Sequence, residues 1–348
     1  MINTKLLAEI CEVAGAPGHE QRVREIVLRE VTSLVDEIRI DNMGNVVAIK
    51  KGKEKKRVMI AAHMDEIGFI VTHIDDKGFI YFHTLGGFDP KTLTAQRVII
   101  HGKKDIVGVM GSKPIHLMNA ADRAKVPTIK DYFIDTGRPK KELDKIISVG
   151  DTITRERELI EMGDCLNCKS LDNRVSVFIL IEMLREMKKK PSYDVYGVFT
   201  VQEEIGIRGA NVSSMDINPD FGFGLDTTIA WDTPGSTKQE QVSALGDGAC
   251  IKVMDSSTVC DYRMVKYMKE IAKKKKLKTQ LEILPAGGTD TAGIQRMNPG
   301  GSIAGAVSIP TRHIHQVIEM VHKKDVRGAI DLLRHSVENL HSYDWKFK

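Results

Sequence analysis

The chain has 348 residues, 42% hydrophobic and 28% charged, the composition of a soluble globular protein with one large or two ordinary domains. Lysine and arginine exceed aspartate and glutamate by only 51 to 47, and the basic runs at 51–57 and 273–276 carry no interleaved aromatics, which argues against nucleic acid as a partner. No apolar stretch reaches the ~18 residues of a membrane span, no signal-peptide pattern opens the chain, and five scattered cysteines point to reduced thiols in a cytoplasmic setting.

In chain order, "TKLLAEICEVAGAPGHEQRVREIVLREVTSLV" predicts two amphipathic helices around the turn "GAPGHE". "EIRIDNMGNVVAIKKG" predicts a hairpin about an Asn- and Gly-rich turn, and "KRVMIAAHMD" a buried strand ending in small residues. From 69 to 160 helical periodicity nearly vanishes. Short apolar runs such as "GFIYFHTLGG" and "QRVIIHGKKDIVGVMGS" alternate with glycines, the pattern of a small β-barrel or sandwich. Helix–strand alternation returns with the helix "LDNRVSVFILIEMLREMKKK". Strands at 193–201 and 221–225, "ACIKVMD", a helix at 262–275, "TQLEILP", "IAGAVSIP" and a closing helix at 326–340 follow. The fold class is therefore α/β, with a mostly parallel central sheet covered by helices on both faces. Its domain, 1–68 with 161–348, is interrupted by the β-rich insert 69–160. Cys165 and Cys168 form "CLNC", but a structural zinc site needs a second pair that the chain does not supply.

In open α/β sheets, ligands bind beyond the C-terminal strand ends. There the sequence places His63 and Asp65, Asp172 before the long helix, the adjacent Glu203 and Glu204, Asp226, and then His313 and His315. Each alone has an ordinary explanation, such as a helix N-cap for Asp172 or solvent for the glutamates. Together they gather carboxylates that repel and resist desolvation unless a cation sits among them. Two histidines and three carboxylates suit two zinc-like ions sharing one carboxylate, with a further carboxylate left as base for a bridging water. Adjacent glutamates do not readily flank one glycosidic bond, which needs carboxyls ~5–9.5 Å apart.

"AAHMDEIGFIV", "SLDNR", "TVQEEIGIRGA", "GLDTT", "GGTDTAG" and "GAVSIPTRHIH" occur in an order that resembles the M42 family of di-metal aminopeptidases over nearly the whole chain. The resemblance implies two divalent ions per subunit: zinc, or cobalt or manganese. His63 and Asp226 would bind one ion, Glu204 and His315 the other, and Asp172 would bridge. Glu203 would be the general base and Asp65 would orient His63. Gly287, Gly288, Thr289 and Asp290 would line the substrate cleft. The chain departs from the family at His313, in place of a tyrosine, and at Gln316 and Ala286. His313 is the competing donor to His315. The implied substrates are peptides with a free N-terminus. The implied assembly is a homo-oligomer, from a dimer held by the insert up to a tetrahedral dodecamer. The edge strands of so small a β-module would also need a partner. A di-metal deacylase or carboxypeptidase for small acylated amino acids is the nearest alternative. A non-catalytic assembly protein with a relic site is the other, and the retained Glu203 argues against it.

Overall fold

The computed structural model describes residues 2–347. Eleven strands form one mixed sheet. At its centre Tyr193–Thr200, Glu54–His63, Phe221–Ile229 and Ile303–Arg312 lie side by side and parallel. Their apolar runs are buried on both faces; Val58 through Ala62 are all inaccessible. The expected parallel sheet is thus its centre. The flanks run antiparallel: the hairpin Glu37–Ile40/Val46–Lys50 on one side, and Glu319–His322, Cys165–Cys168 and Ile160–Met162 on the other. Short turns join Glu37–Ile40 to Val46–Lys50, Ile160–Met162 to Cys165–Cys168 and Ile303–Arg312 to Glu319–His322, whereas parallel neighbours need a crossover. Ala249–Met254 and Thr279–Ile283 branch from Ile303–Arg312.

Helices Thr4–Glu12, Gln21–Val31, Leu171–Glu186, Tyr262–Lys275 and Lys323–Asn339 cover one face through a single large core. Arg208–Ile217 and Asp290–Arg296 cover the other, where Ile217 and Ile294 meet Met59, Ala61 and Val198. Neither of these two helices was expected, because their small residues blur the amphipathic pattern. The "FGFGLD" run explains how one of them fits. A Cβ on Gly222 would come within 2.1 Å of Ile294, and one on Gly224 within 1.9 Å of Thr291, so Asp290–Arg296 lies directly on strand backbone. Cys165–Cys168 is a strand, in which residues three apart point to opposite faces, so the two thiols cannot share one ion.

The β-rich segment is a closed six-stranded barrel: Gly68–Ile74, Ile80–Leu85, Phe133–Asp135, Asp105–Gly111, Arg97–His101 and Thr152–Arg155. Phe69, Val98, Ile100, Met110, Ile134 and Ile153 fill it. Closure corrects one expectation. A barrel has no open edges, so edge pairing no longer argues for a second copy. Ile160 pairs with Asn167 in the large sheet, and the barrel strands end at Arg155.

Candidate metal centre

The four central strands are contiguous and parallel, so their C-terminal ends open on one place. His63 closes its strand opposite Thr200, and Glu203 and Glu204 follow that neighbour. Asp226 sits near the end of the next strand, and His315 follows the fourth. Asp172 comes from the start of the long helix, where residues 172 and 173 are still non-helical. Non-glycine residues with left-handed φ border the site: Ser170, Gln202, Ile207, His313 and His315 are five of the eight described. Such backbone costs roughly 1–3 kcal/mol per residue and concentrates where function fixes geometry.

Asp172 lies between the two histidines. Its Oδ1 is 3.5 Å from His63 Nε2 and its Oδ2 is 3.3 Å from His315 Nε2. Glu204 Oε2 is also 3.3 Å from His315 Nε2, while Glu203 Oε2 and Asp226 Oδ1 stand 3.7 and 3.8 Å from His63 Nε2. These separations are close to the ~3.3 Å edge of a tetrahedral shell built on ~2.0–2.1 Å bonds. His63, Asp172 and Glu204 offer donor atoms all within 4.8 Å of one another. The Nδ1 of His63 is 3.1 Å from the Asp65 carbonyl, which directs Nε2 into the cluster. The Asp65 carboxylate accepts the N–H groups of Glu203 and Glu204, each at 3.0 Å, so this residue braces both glutamates as well as the imidazole.

The electrostatics call for positive charge. Burial pushes the carboxyls of Glu203 and Asp226 well above their ordinary range, with His63 pulling them back. Burial raises Glu204 too, against His315, and its Oε1 is buried without a hydrogen-bond partner. For Asp172 burial acts upward, but the histidines on its two oxygens outweigh it and hold the carboxyl low. Burial would lower His63, yet Asp172 and Asp65 keep it well above the usual imidazole range. An unpartnered carboxylate oxygen inside a mixed imidazole–carboxylate set fits divalent zinc-like ions.

A cleft of about 620 Å³ opens from this cluster. Gly287, Gly288 and Thr289 line it; Gly287 has φ +69°, and a Cβ on Gly288 would come within 2.5 Å of Ser257 Oγ. Asp290 lies behind it instead, buried and accepting a hydrogen bond from Thr200 Oγ1. His313 borders the cleft but is exposed, and no described carboxylate lies within ion-pair distance of it. Glu66, Arg155 and Glu319 are among the buried charges to which no motif assigns a role. For Glu319 the signal in the sequence is alternation. Glu319 lies between buried Val317 and Val321, whereas every residue of Thr152–Arg155 is buried and Glu66 lies in a loop, so neither Arg155 nor Glu66 stands out by pattern.

A central α/β sheet with two imidazoles and four carboxylates at its C-terminal edge defines a metal-dependent hydrolase. Residues 44–332 match the family described as M42 glutamyl aminopeptidase, and the chain belongs to that family of metal-dependent aminopeptidases. It is 32% identical to a lysyl aminopeptidase from Pyrococcus furiosus over 353 residues, covering 99% of both chains. Among solved structures it resembles an aminopeptidase from the archaeon Desulfurococcus kamchatkensis, with TM-score 0.92, 37% identity, and 96% and 94% of the two chains covered. It also resembles the Pyrococcus horikoshii TET1 peptidase, which assembles into a tetrahedron or a large octahedral shell, with TM-score 0.86, 28% identity and 96% and 98% coverage. No described helix is long and apolar enough to cross a membrane.

Proposed function

We propose that two divalent ions, zinc, cobalt or manganese, serve this aminopeptidase, with His63 and Asp226 on one, Glu204 and His315 on the other, and Asp172 between. The observation that carries this reading is Asp172 presenting one oxygen to each histidine. When bound, such ions acidify a water and polarise the scissile carbonyl. Glu203 takes the proton of the attacking water and returns it to the leaving amine, a role its raised carboxyl suits. Asp65 keeps Glu203 and Glu204 aimed by holding their N–H groups. Gly287 and Gly288 let the peptide pass close to the cleft wall.

The cleft also favours an uncharged first residue. Its Arg312 is paired with Asp232 at 2.6 Å, and Lys252 with Glu282 at 2.8 Å and Asp255 at 3.0 Å. Ile229, Trp231, Leu284 and Ile314 supply apolar wall. A charged side chain entering there loses water without gaining a free counter-ion. Leucyl-, lysyl-, glutamyl- and N-acetyl-leucyl-nitroanilides, assayed with each metal, test this. Leucine should exceed lysine and glutamate by roughly tenfold or more in kcat/KM, and the N-acetyl substrate should be inert. Preference for a charged residue refutes the cleft reading, and cleavage of the acetylated substrate favours the deacylase.

The barrel is the proposed contact between subunits. Val107, Val109, Ile115, Leu117 and Val126 are exposed on it, between 43% and 69%. Val107→Lys with Leu117→Lys should give a smaller species by light scattering, with metal content unchanged. A parent protein that is already monomeric removes the proposal. Deleting the barrel is not an equivalent test, because a Cβ on Gly87 would come within 3.3 Å of His315 Nδ1.

A further inference from the structure

A buried arginine of the barrel reaches into the support of the metal centre. Arg155, the last residue of the final barrel strand, is 1% exposed. Its Nη1 donates to the backbone carbonyl of Gln316, the residue after His315, and lies 3.7 Å from Glu319 Oε1. The other oxygen of Glu319, Oε2, accepts the N–H of Asp172 at 2.8 Å. Nη2 of Arg155 is 3.5 Å from Glu66 Oε2, and Glu66 is in turn held by Lys169 at 2.6 Å. One guanidinium from the barrel therefore backs the peptide next to His315 and, through a single carboxylate, the peptide of Asp172.

We propose that Arg155 and Glu319 are positioning residues that couple the barrel to the metal centre by fixing the spacing between Asp172 and His315. The inference rests on the ligand assignment above. Neither residue lines the cleft, and both are fully buried, so they act through the backbone of Asp172 and of the residue after His315 rather than on substrate. A planar guanidinium spreads its charge over two terminal nitrogens, so Nη1 reaches Gln316 and Glu319 while Nη2 faces Glu66, a span that the single nitrogen of an ammonium lacks. The buried Glu319 and Glu66 would lose their shared cation if Arg155 were removed, and the strand carrying Glu319 would be free to shift. Partners behind metal ligands typically carry about 10–100-fold in metal affinity or activity.

The test compares Arg155→Met, Arg155→Lys, Glu319→Leu and Glu319→Gln in the full chain, stripped of metal and titrated with Co²⁺. The cobalt d–d absorption reports donor geometry, circular-dichroism melting reports folding, and leucyl-nitroanilide gives kcat and KM. Arg155→Met and Glu319→Leu should each weaken cobalt binding by about 10–100-fold, shift the d–d band and lower kcat by a similar factor, with KM within about threefold. Glu319→Gln should recover most of that loss, since its amide oxygen still accepts the Asp172 N–H. Arg155→Lys should fall between parent and Arg155→Met. A folded Arg155→Met with parental cobalt affinity, spectrum and kcat overturns the proposal. If Arg155→Met does not fold, identical behaviour of Glu319→Leu and Glu319→Gln overturns it. A wrong ligand assignment would show differently, as parental cobalt binding in His315→Ala.

Discussion

Glu203→Gln is expected to lower kcat by roughly 10²–10⁴-fold while metal content and KM stay near the parent values. The amide is nearly isosteric and keeps the backbone N–H that Asp65 holds, so the loop does not move. What disappears is the ability to accept a proton. Burial raises that carboxyl well above its ordinary range, opposed by His63. Glu204→Gln is the control. Its carboxylate is 3.3 Å from His315 Nε2, and losing that charge should release metal as well as rate. Metal analysis and steady-state kinetics on both variants decide the roles. Parental turnover in a metal-replete Glu203→Gln refutes the assignment, and the opposite pattern exchanges the two glutamates.

The second large effect separates the closing histidines. His315→Ala should weaken one ion by at least about 100-fold, whereas His313→Tyr should leave metal content unchanged. His315 Nε2 lies 3.3 Å from both Asp172 and Glu204, and against the downward pull of burial these carboxylates hold its imidazole up at about 11. A ring so placed gives its lone pair to a cation once one is present. His313 is exposed, two residues away. Inductively coupled plasma analysis after equilibrium dialysis measures both variants. Metal lost from His313→Tyr and kept by His315→Ala would move the ligand to His313.

Most of the residues that the structure gathers at this candidate centre carry a signal in the sequence. His63, Asp172, Glu203, Glu204 and His315 sit at or just beyond strand ends or at a helix start, which apolar periodicity marks, whereas Asp226 lies within a strand that runs on to Ile229 rather than stopping at 225. The helix at Tyr262–Lys275 and the parallel centre of the sheet follow from the same periodicity. The helices Arg208–Ile217 and Asp290–Arg296 do not, because glycines and small side chains pack them closely without an apolar stripe. Asp290 illustrates the limit for a site residue. Its motif suggested the cleft, but the helix start turns its carboxylate inward to Thr200.

The sequence by itself determined which residues come to the sheet edge, because burial leaves a periodic trace along the chain. It could not determine which of them face one another. That Asp172 gives one oxygen to each histidine follows from the start of one helix meeting two different strand ends. That the barrel closes follows from its last strand, Thr152–Arg155, pairing with both Gly68–Ile74 and Arg97–His101. That Arg155 braces the peptide beside His315 follows from an approach between residues 161 positions apart. Periodicity records that a side chain is buried. The partner that makes a buried charge tolerable is chosen by packing across the whole fold, and only the tertiary structure contains it.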